Sequence, residues 1–301
     1  WTPFFAHFLG ADITPVVTHS TAKLVGQESI CVLALDGGSS GSIAMDNKSL
    51  LTANGCGVYV NSISATAITL KNRSALKAQI TCSAGGVLNK GTITPAAITD
   101  CPSIEDPLGS RSGPSFGGCS YSSFKVASGS VSLSPGVYCG GLTIQGSALV
   151  TVQPGTYVIK DGPLSVSGTA SLSGKDVGSY LTGHNALIDF KGNTTISLEG
   201  PTSGDLAGLL FYADRGAASP QQHIIRSTNA HTLTGTIYLP RGNLLVDPGA
   251  KVAQNSAYTA IIANQINVNM GPELVLNSNY GATSVPVPDG IRASADVVLS
   301  D

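Results

Sequence analysis

A Pro-Gly-x-Tyr tetrad occurs twice, at 135–138 and at 154–157, 19 residues apart. Proline presets φ for a turn, glycine accepts a positive φ, and the tyrosine then enters an extended segment. Between and after the copies the apolar residues fall at roughly alternating positions: Leu142, Ile144, Leu149, Val150 and Val152. Leu164-Ser-Val-Ser-Gly168 and Ala170-Ser-Leu-Ser-Gly174 continue the pattern. A period of two marks half-buried strands. A fixed repeat near 20 residues, with short strands and glycine-marked corners, predicts an all-β chain folded as a parallel β-helix (β-solenoid), each turn stacked on the last. The general hand of parallel connections makes the expected helix right-handed.

Composition sharpens this expectation. The 36 glycines among 301 residues oppose a helical protein. Charged residues make up 11%, against about 25% in an ordinary domain. With 16 basic and 18 acidic side chains, a net charge of −2 and no basic stripe interleaved with aromatics, nucleic acid is excluded as an expected partner. Cys31, Cys56, Cys82, Cys101, Cys119 and Cys139 form an even set with no Cys-x-x-Cys and no zinc spacing. They are disulfide candidates, which points to an oxidising compartment. Six cysteines allow fifteen pairings; nearest-neighbour pairing (31–56, 82–101, 119–139) is one guess among them.

The chain divides into five stretches. Residues 1–30 form an aromatic and extended segment, in which Trp1, Phe4, Phe5 and Phe8 at i, i+4 spacing predict a short helix. That helix either packs on the body or docks a partner. The abrupt start at Trp1 is read as following a missing upstream segment. Residues 31–82 hold strands such as Cys31–Asp36 and Cys56–Ser62, expected as the first, irregular solenoid turns. Residues 83–130, rich in Gly, Pro and Ser, are expected as a disulfide-stapled loop region. Residues 131–280 carry steady strand signals, about seven turns at that period. Residues 281–301 read as a C-terminal arm placed to cap the last turn, since an open end is an unpaired edge.

Catalytic chemistry finds little support. His7, His19, His184, His223 and His231 show no metal-ligand spacing, and no metal or cofactor is expected. Glu105-Asp106 precedes a proline and reads as turn chemistry. Asp205, Asp214 and Arg215 flank the strand Leu209–Tyr212 and are the weak candidates for an acid-plus-arginine cluster of the kind sugar-cleaving β-helix enzymes use. No Gly-x-Ser-x-Gly elbow or phosphate loop occurs. Asn47-Lys-Ser, Asn72-Arg-Ser and Asn193-Thr-Thr match the glycosylation sequon.

Several motifs in order, Cys31-Val-Leu-Ala-Leu-Asp36, Cys56-Gly-Val-Tyr-Val-Asn-Ser62, Pro135-Gly-Val-Tyr-Cys-Gly-Gly141, Pro154-Gly-Thr-Tyr-Val158, Pro201-Thr-Ser-Gly204 and Gly235-Thr-Ile-Tyr-Leu-Pro240, make the chain resemble the periplasmic part of TadG-like proteins of the bacterial Tad (Flp) pilus system. The resemblance runs from about residue 4 to residue 270. It implies a preceding transmembrane helix, a periplasmic or cell-surface body, and TadE-like pilins or other pilus components as partners. Some of these proteins carry an Asp-x-Ser-x-Ser metal site. Asp36-Gly-Gly-Ser-Ser40 has glycine where that motif needs its first serine, so no metal-dependent adhesion site is expected. The resemblance supplies no catalytic residue.

The resulting expectation is a non-enzymatic structural or adhesive pilus component, working in assembly or as a minor or tip subunit, with Trp1, Phe4, Phe5 and Phe8 as partner-docking candidates. The competing readings are a carbohydrate-active β-helix enzyme and a stand-alone secreted adhesin that binds surface glycans or associates with itself.

Overall fold

The computed structural model describes residues 28–216 and 221–292. Trp1, Phe4, Phe5 and Phe8, with the helix expected there, lie outside the described residues. Among these residues there is no α-helix, only one 3-10 turn at Tyr280–Ala282. All named strand pairs are parallel. They form a sheet of 18 strands and a smaller one of five (Leu50–Asn54, Ala75–Lys77, Thr92–Thr94, Lys251–Val252 and Glu273–Asn277).

The expected right-handed parallel β-helix is corrected by how the larger sheet closes. Gly136–Ile144 pairs with both Gly155–Lys160 and Leu164–Val166. From Gly155–Lys160 the pairing runs on through Val177–Thr182, Leu209–Ala213 and Gln221–Val246 to Ile188–Glu199, then back to Leu164–Val166. That ring makes a closed parallel barrel of seven strands, with further strands attached outside it. The physical reason lies at the corners. Glycines read in the sequence as strand ends instead let one long strand bend and pair with a second neighbour beyond the bend. Gly141 sits at φ +88°, and a Cβ there would lie 2.5 Å from the Pro163 carbonyl oxygen, so no other residue turns this corner without strain.

The repeated tetrad has a different role from the one its spacing implies. Gly136 pairs opposite Tyr157, and Val137 opposite Val158, a register of 21 residues rather than 19. Each tyrosine binds its own corner, and Tyr157 donates to the Leu133 carbonyl of the neighbouring segment as well, at 2.7 Å. The Tyr138 hydroxyl donates to the Ser134 carbonyl at 2.7 Å, and that of Tyr157 to the Gln153 carbonyl at 2.9 Å, in both cases the residue before the proline. Both rings are buried and stack on one another, centroids 5.9 Å apart.

The strands of residues 30–54 pair on one side with strands that follow them in sequence and on the other with strands near the C-terminus. Ile30–Ala34 and Ile43–Met45 pair with Thr259–Val268, and Leu50–Asn54 pairs with Glu273–Asn277. Residues 30–98 therefore stack beyond the C-terminal strands, and the chain has to travel back before starting Tyr121–Val126. Segment 83–130 is partly regular, with strands Val87–Asn89, Thr92–Thr94 and Tyr121–Val126. Between them, residues 98–119 run as a strap over the outer face of one wall. Residues 285–291 of the C-terminal arm lie on this outer face too. The Tyr258 hydroxyl donates to the Pro286 carbonyl, Ile291 is buried, and the Ile30 N–H donates to the Ile291 carbonyl at 2.7 Å.

This covering explains which strands alternate and which do not. Ile30–Ala34, Gly57–Val60, Val177–Thr182 and Leu209–Ala213 are buried at every position, as strands packed on both faces must be. Leu149–Val152 and Glu273–Asn277, whose outer face is open, alternate. Inside, side chains stack in columns; in one of them Leu244, Ile266, Ile43 and Ile68 lie in register. Ile266 joins the C-terminal strands to the N-terminal ones and is fully buried. Ile266→Ala is expected to cost about 2–5 kcal/mol, read as a lowered denaturant midpoint with the disulfides intact.

Candidate functional site

The strap begins where the Ile98 N–H donates to the Thr81 carbonyl and is fixed by the Cys82–Cys101 disulfide. Asn61 then holds the Ile104 backbone both ways, at 2.7 and 2.9 Å. At its far end Phe116 lies 6.0 Å from the Tyr180 ring, and Cys119 is bonded to Cys139. The third disulfide, Cys31–Cys56, is buried beneath the N-terminal strands. All six cysteines are thus paired, nearest neighbour with nearest neighbour, and no free thiol remains. Three disulfides indicate an oxidising, extracytoplasmic environment.

The strap's middle is pinned by a polar cluster over a row of tyrosines. Tyr180, Tyr212 and Tyr238 stack along the wall, with successive centroids 5.7 and 5.0 Å apart. The Arg215 guanidinium lies 5.0 Å from the Tyr238 ring centroid, within cation–π range. Its nitrogens donate to the carbonyls of Arg111 and Leu108 in the strap. Tyr212 donates its hydroxyl to the Arg111 carbonyl at 2.6 Å, and Tyr238 donates to Asp106 Oδ2 at 2.5 Å. Asp106 also accepts the Leu108 N–H, so the residue read as turn chemistry makes that turn and binds the wall as well. Burial, with the Asp106 carboxylate second, holds the Tyr238 hydroxyl far above the ordinary tyrosine range.

The weak catalytic candidates do not meet. Asp205 is exposed, and only its backbone carbonyl takes part, accepting from the Arg111 guanidinium at 2.7 and 3.2 Å. Asp214 accepts from the Thr182 hydroxyl and the Gly216 N–H, each at 2.8 Å. Arg215 is taken up by the strap. Sequence reading missed Asp106, Arg111 and Tyr238 as members of this cluster because their partners lie roughly a hundred or more residues away.

A second polar group lines a small pocket: Asp214, Gln221, His223 and Arg241, with room for about one water. His223 is buried, and its Nδ1 accepts the Ile188 N–H at 3.2 Å. Burial pushes the imidazole down to about 4, so the folded protein keeps it neutral at pH 7. Asp36 accepts from the Gly38 and Ser39 N–H groups, the Ser39 hydroxyl and Gln265, which closes a turn around the carboxylate. The sequon residues Asn47 and Asn72 use their side-chain amides to donate to Asn269 and Asp46. Among the described residues, no group of three or more His, Cys, Asp or Glu is placed to hold a metal ion, and no helix is long and apolar enough to cross a membrane.

No family model, curated protein or solved structure matches the chain.

Two outcomes follow from this geometry. Arg215→Met leaves two strap carbonyls without their charged donor, a loss of about 1.5–3 kcal/mol, so protease nicking within 101–119 should quicken by about tenfold or more. His223 is protonated more readily unfolded than folded. Its contribution is therefore complete above about pH 6.5 and is lost as pH falls toward 4, by roughly 3 kcal/mol at the lower limit. Urea midpoints at pH 7.5 and 4.5 should differ less in His223→Gln than in the parent.

Proposed function

We propose that the chain is a non-enzymatic structural component of the bacterial cell surface, acting in Tad (Flp) pilus assembly or as a minor or tip subunit. The observation that carries this reading is the use made of its polar clusters. Arg215, Asp106 and Arg111, the charged groups gathered on one wall, are engaged in fastening a disulfide-anchored strap to a row of tyrosines. Such an arrangement closes a surface against proteases rather than opening a site to substrate. The ordered resemblance to TadG-like proteins supplies the pilus context. With it come the periplasmic or surface location, anchoring through a preceding membrane helix, and TadE-like pilins as partners.

The test is genetic. Deletion of the gene in its host should abolish or sharply reduce surface pili counted by electron microscopy, and the intact gene should restore them. Normal piliation in the deletion strain overturns the assembly role.

A further inference from the structure

We propose that the two open edges of the stacked strands bind each other head to tail, so that copies of this chain join end to end. The inference rests on the edges alone and not on the pilus reading. At one end Tyr121–Val126 pairs only with Gly136–Ile144, and Ser130–Leu133 only with Leu149–Val152. At the other end Val87–Asn89 pairs only with Ile68–Leu70, and Thr92–Thr94 only with Ala75–Lys77. Among the described residues, the outer side of each of these four strands has no strand partner. Unpaired edges of this kind are templates for further strands.

The apolar columns stop at the same two places. One column begins Val131, Val150, Leu172 and ends Leu51, Leu76, Ile93. Another begins Phe124, Leu142, Leu164 and ends Ile43, Ile68, Val87. Their inner members are buried, whereas Val131, Phe124, Ile93 and Val87 are only partly covered. A second copy shifted along the stack would set Ile93 over Val131 and Val87 over Phe124, continuing both columns. The outward rows brought together would be Thr92 and Thr94 with Ser130 and Ser132, and Leu88 with Lys125, with no pair of like charges among them. The strand Ile80–Ser83 takes no part, because the start of the strap already bridges to it at Cys82.

The occupant is a second copy because it alone presents both strands at once, parallel and correctly spaced around the corner. A single extended peptide would fill one wall and leave the adjoining column open. The chain already contains such a joint. Its C-terminal strands receive Ile30–Ala34, Ile43–Met45 and Leu50–Asn54, from a segment remote in sequence, by parallel edge pairing on every wall. Two different edges that meet in this way make a heterologous interface, which propagates instead of closing.

The test uses the full chain in two singly blocked forms, Val131→Lys at one edge and Ile93→Lys at the other, followed by sedimentation velocity across concentration. The parent should show species that lengthen with concentration. Each blocked variant alone should stop at the monomer, and an equimolar mixture should form a dimer and nothing larger. A parent that stays monomeric to millimolar concentration, or a single variant that dimerises by itself, overturns the proposal. Should a lysine variant fail to melt cooperatively, Ser132→Cys and Thr94→Cys at exposed outward positions replace them. Oxidative cross-linking is expected only when those two are mixed, and its absence from the mixture overturns the proposal equally.

Discussion

Every pair of strands in the body is parallel, and a parallel neighbour cannot be reached by a tight turn. The chain must make a longer connection each time, so residues some twenty or more apart in sequence become neighbours across the sheet and like side chains fall into columns. Corners carry the strain of this arrangement. Asn47 and Lys48, and in the next layer Asn72 and Arg73, all adopt φ between 47° and 61°, a conformation that asparagine tolerates better than most residues. Asparagines on neighbouring layers also pair through their side chains, as Asn54 does with Asn277 and Asn264 with Asn243. Corner chemistry and column packing are thus two results of one backbone constraint.

The strap answers a second demand. Placing residues 30–98 beyond the C-terminal strands leaves the chain at the wrong end of the body, and residues 98–119 have to bring it back. Because that return lies on a wall, the wall's outer face becomes a second core, with Tyr59, Tyr180, Tyr212 and Tyr238 beneath Leu108 and Ile291. A path required by connectivity thereby gains apolar burial on one side. The two disulfides mark its ends, so the return segment is short in conformational freedom as well as in reach.

Much of the secondary structure was legible in the residues, and little of its closure was. The alternation from Leu142 to Val152 and the unbroken apolar run at Cys31–Ala34 identified strands correctly, since period and burial are local signals. The 19-residue tetrad spacing suggested a register that the pairing of Gly136 with Tyr157 does not follow. What the two copies share is the local bond from the tyrosine hydroxyl to the residue before its proline, and that bond does not set the strand register. The ring of seven strands was hidden because Gly140 and Gly141 look like a break, whereas one strand, Gly136–Ile144, runs through them and finds partners on either side of the two glycines. Asp205, Asp214 and Arg215 looked like one cluster because they are close in sequence. Their actual partners, Arg111, Thr182 and the strap carbonyls, belong to other layers, which no single-sequence pattern reports.

The hydrogen bond from Ile30 to the Ile291 carbonyl sets the two flanks of the body side by side. Anything joined before residue 28 and anything joined after residue 292 therefore leaves from one place on its flank, away from both edges of the stack. A pull applied between residues 28 and 292 falls first on the Ile30–Ile291 contact and not on the strand columns.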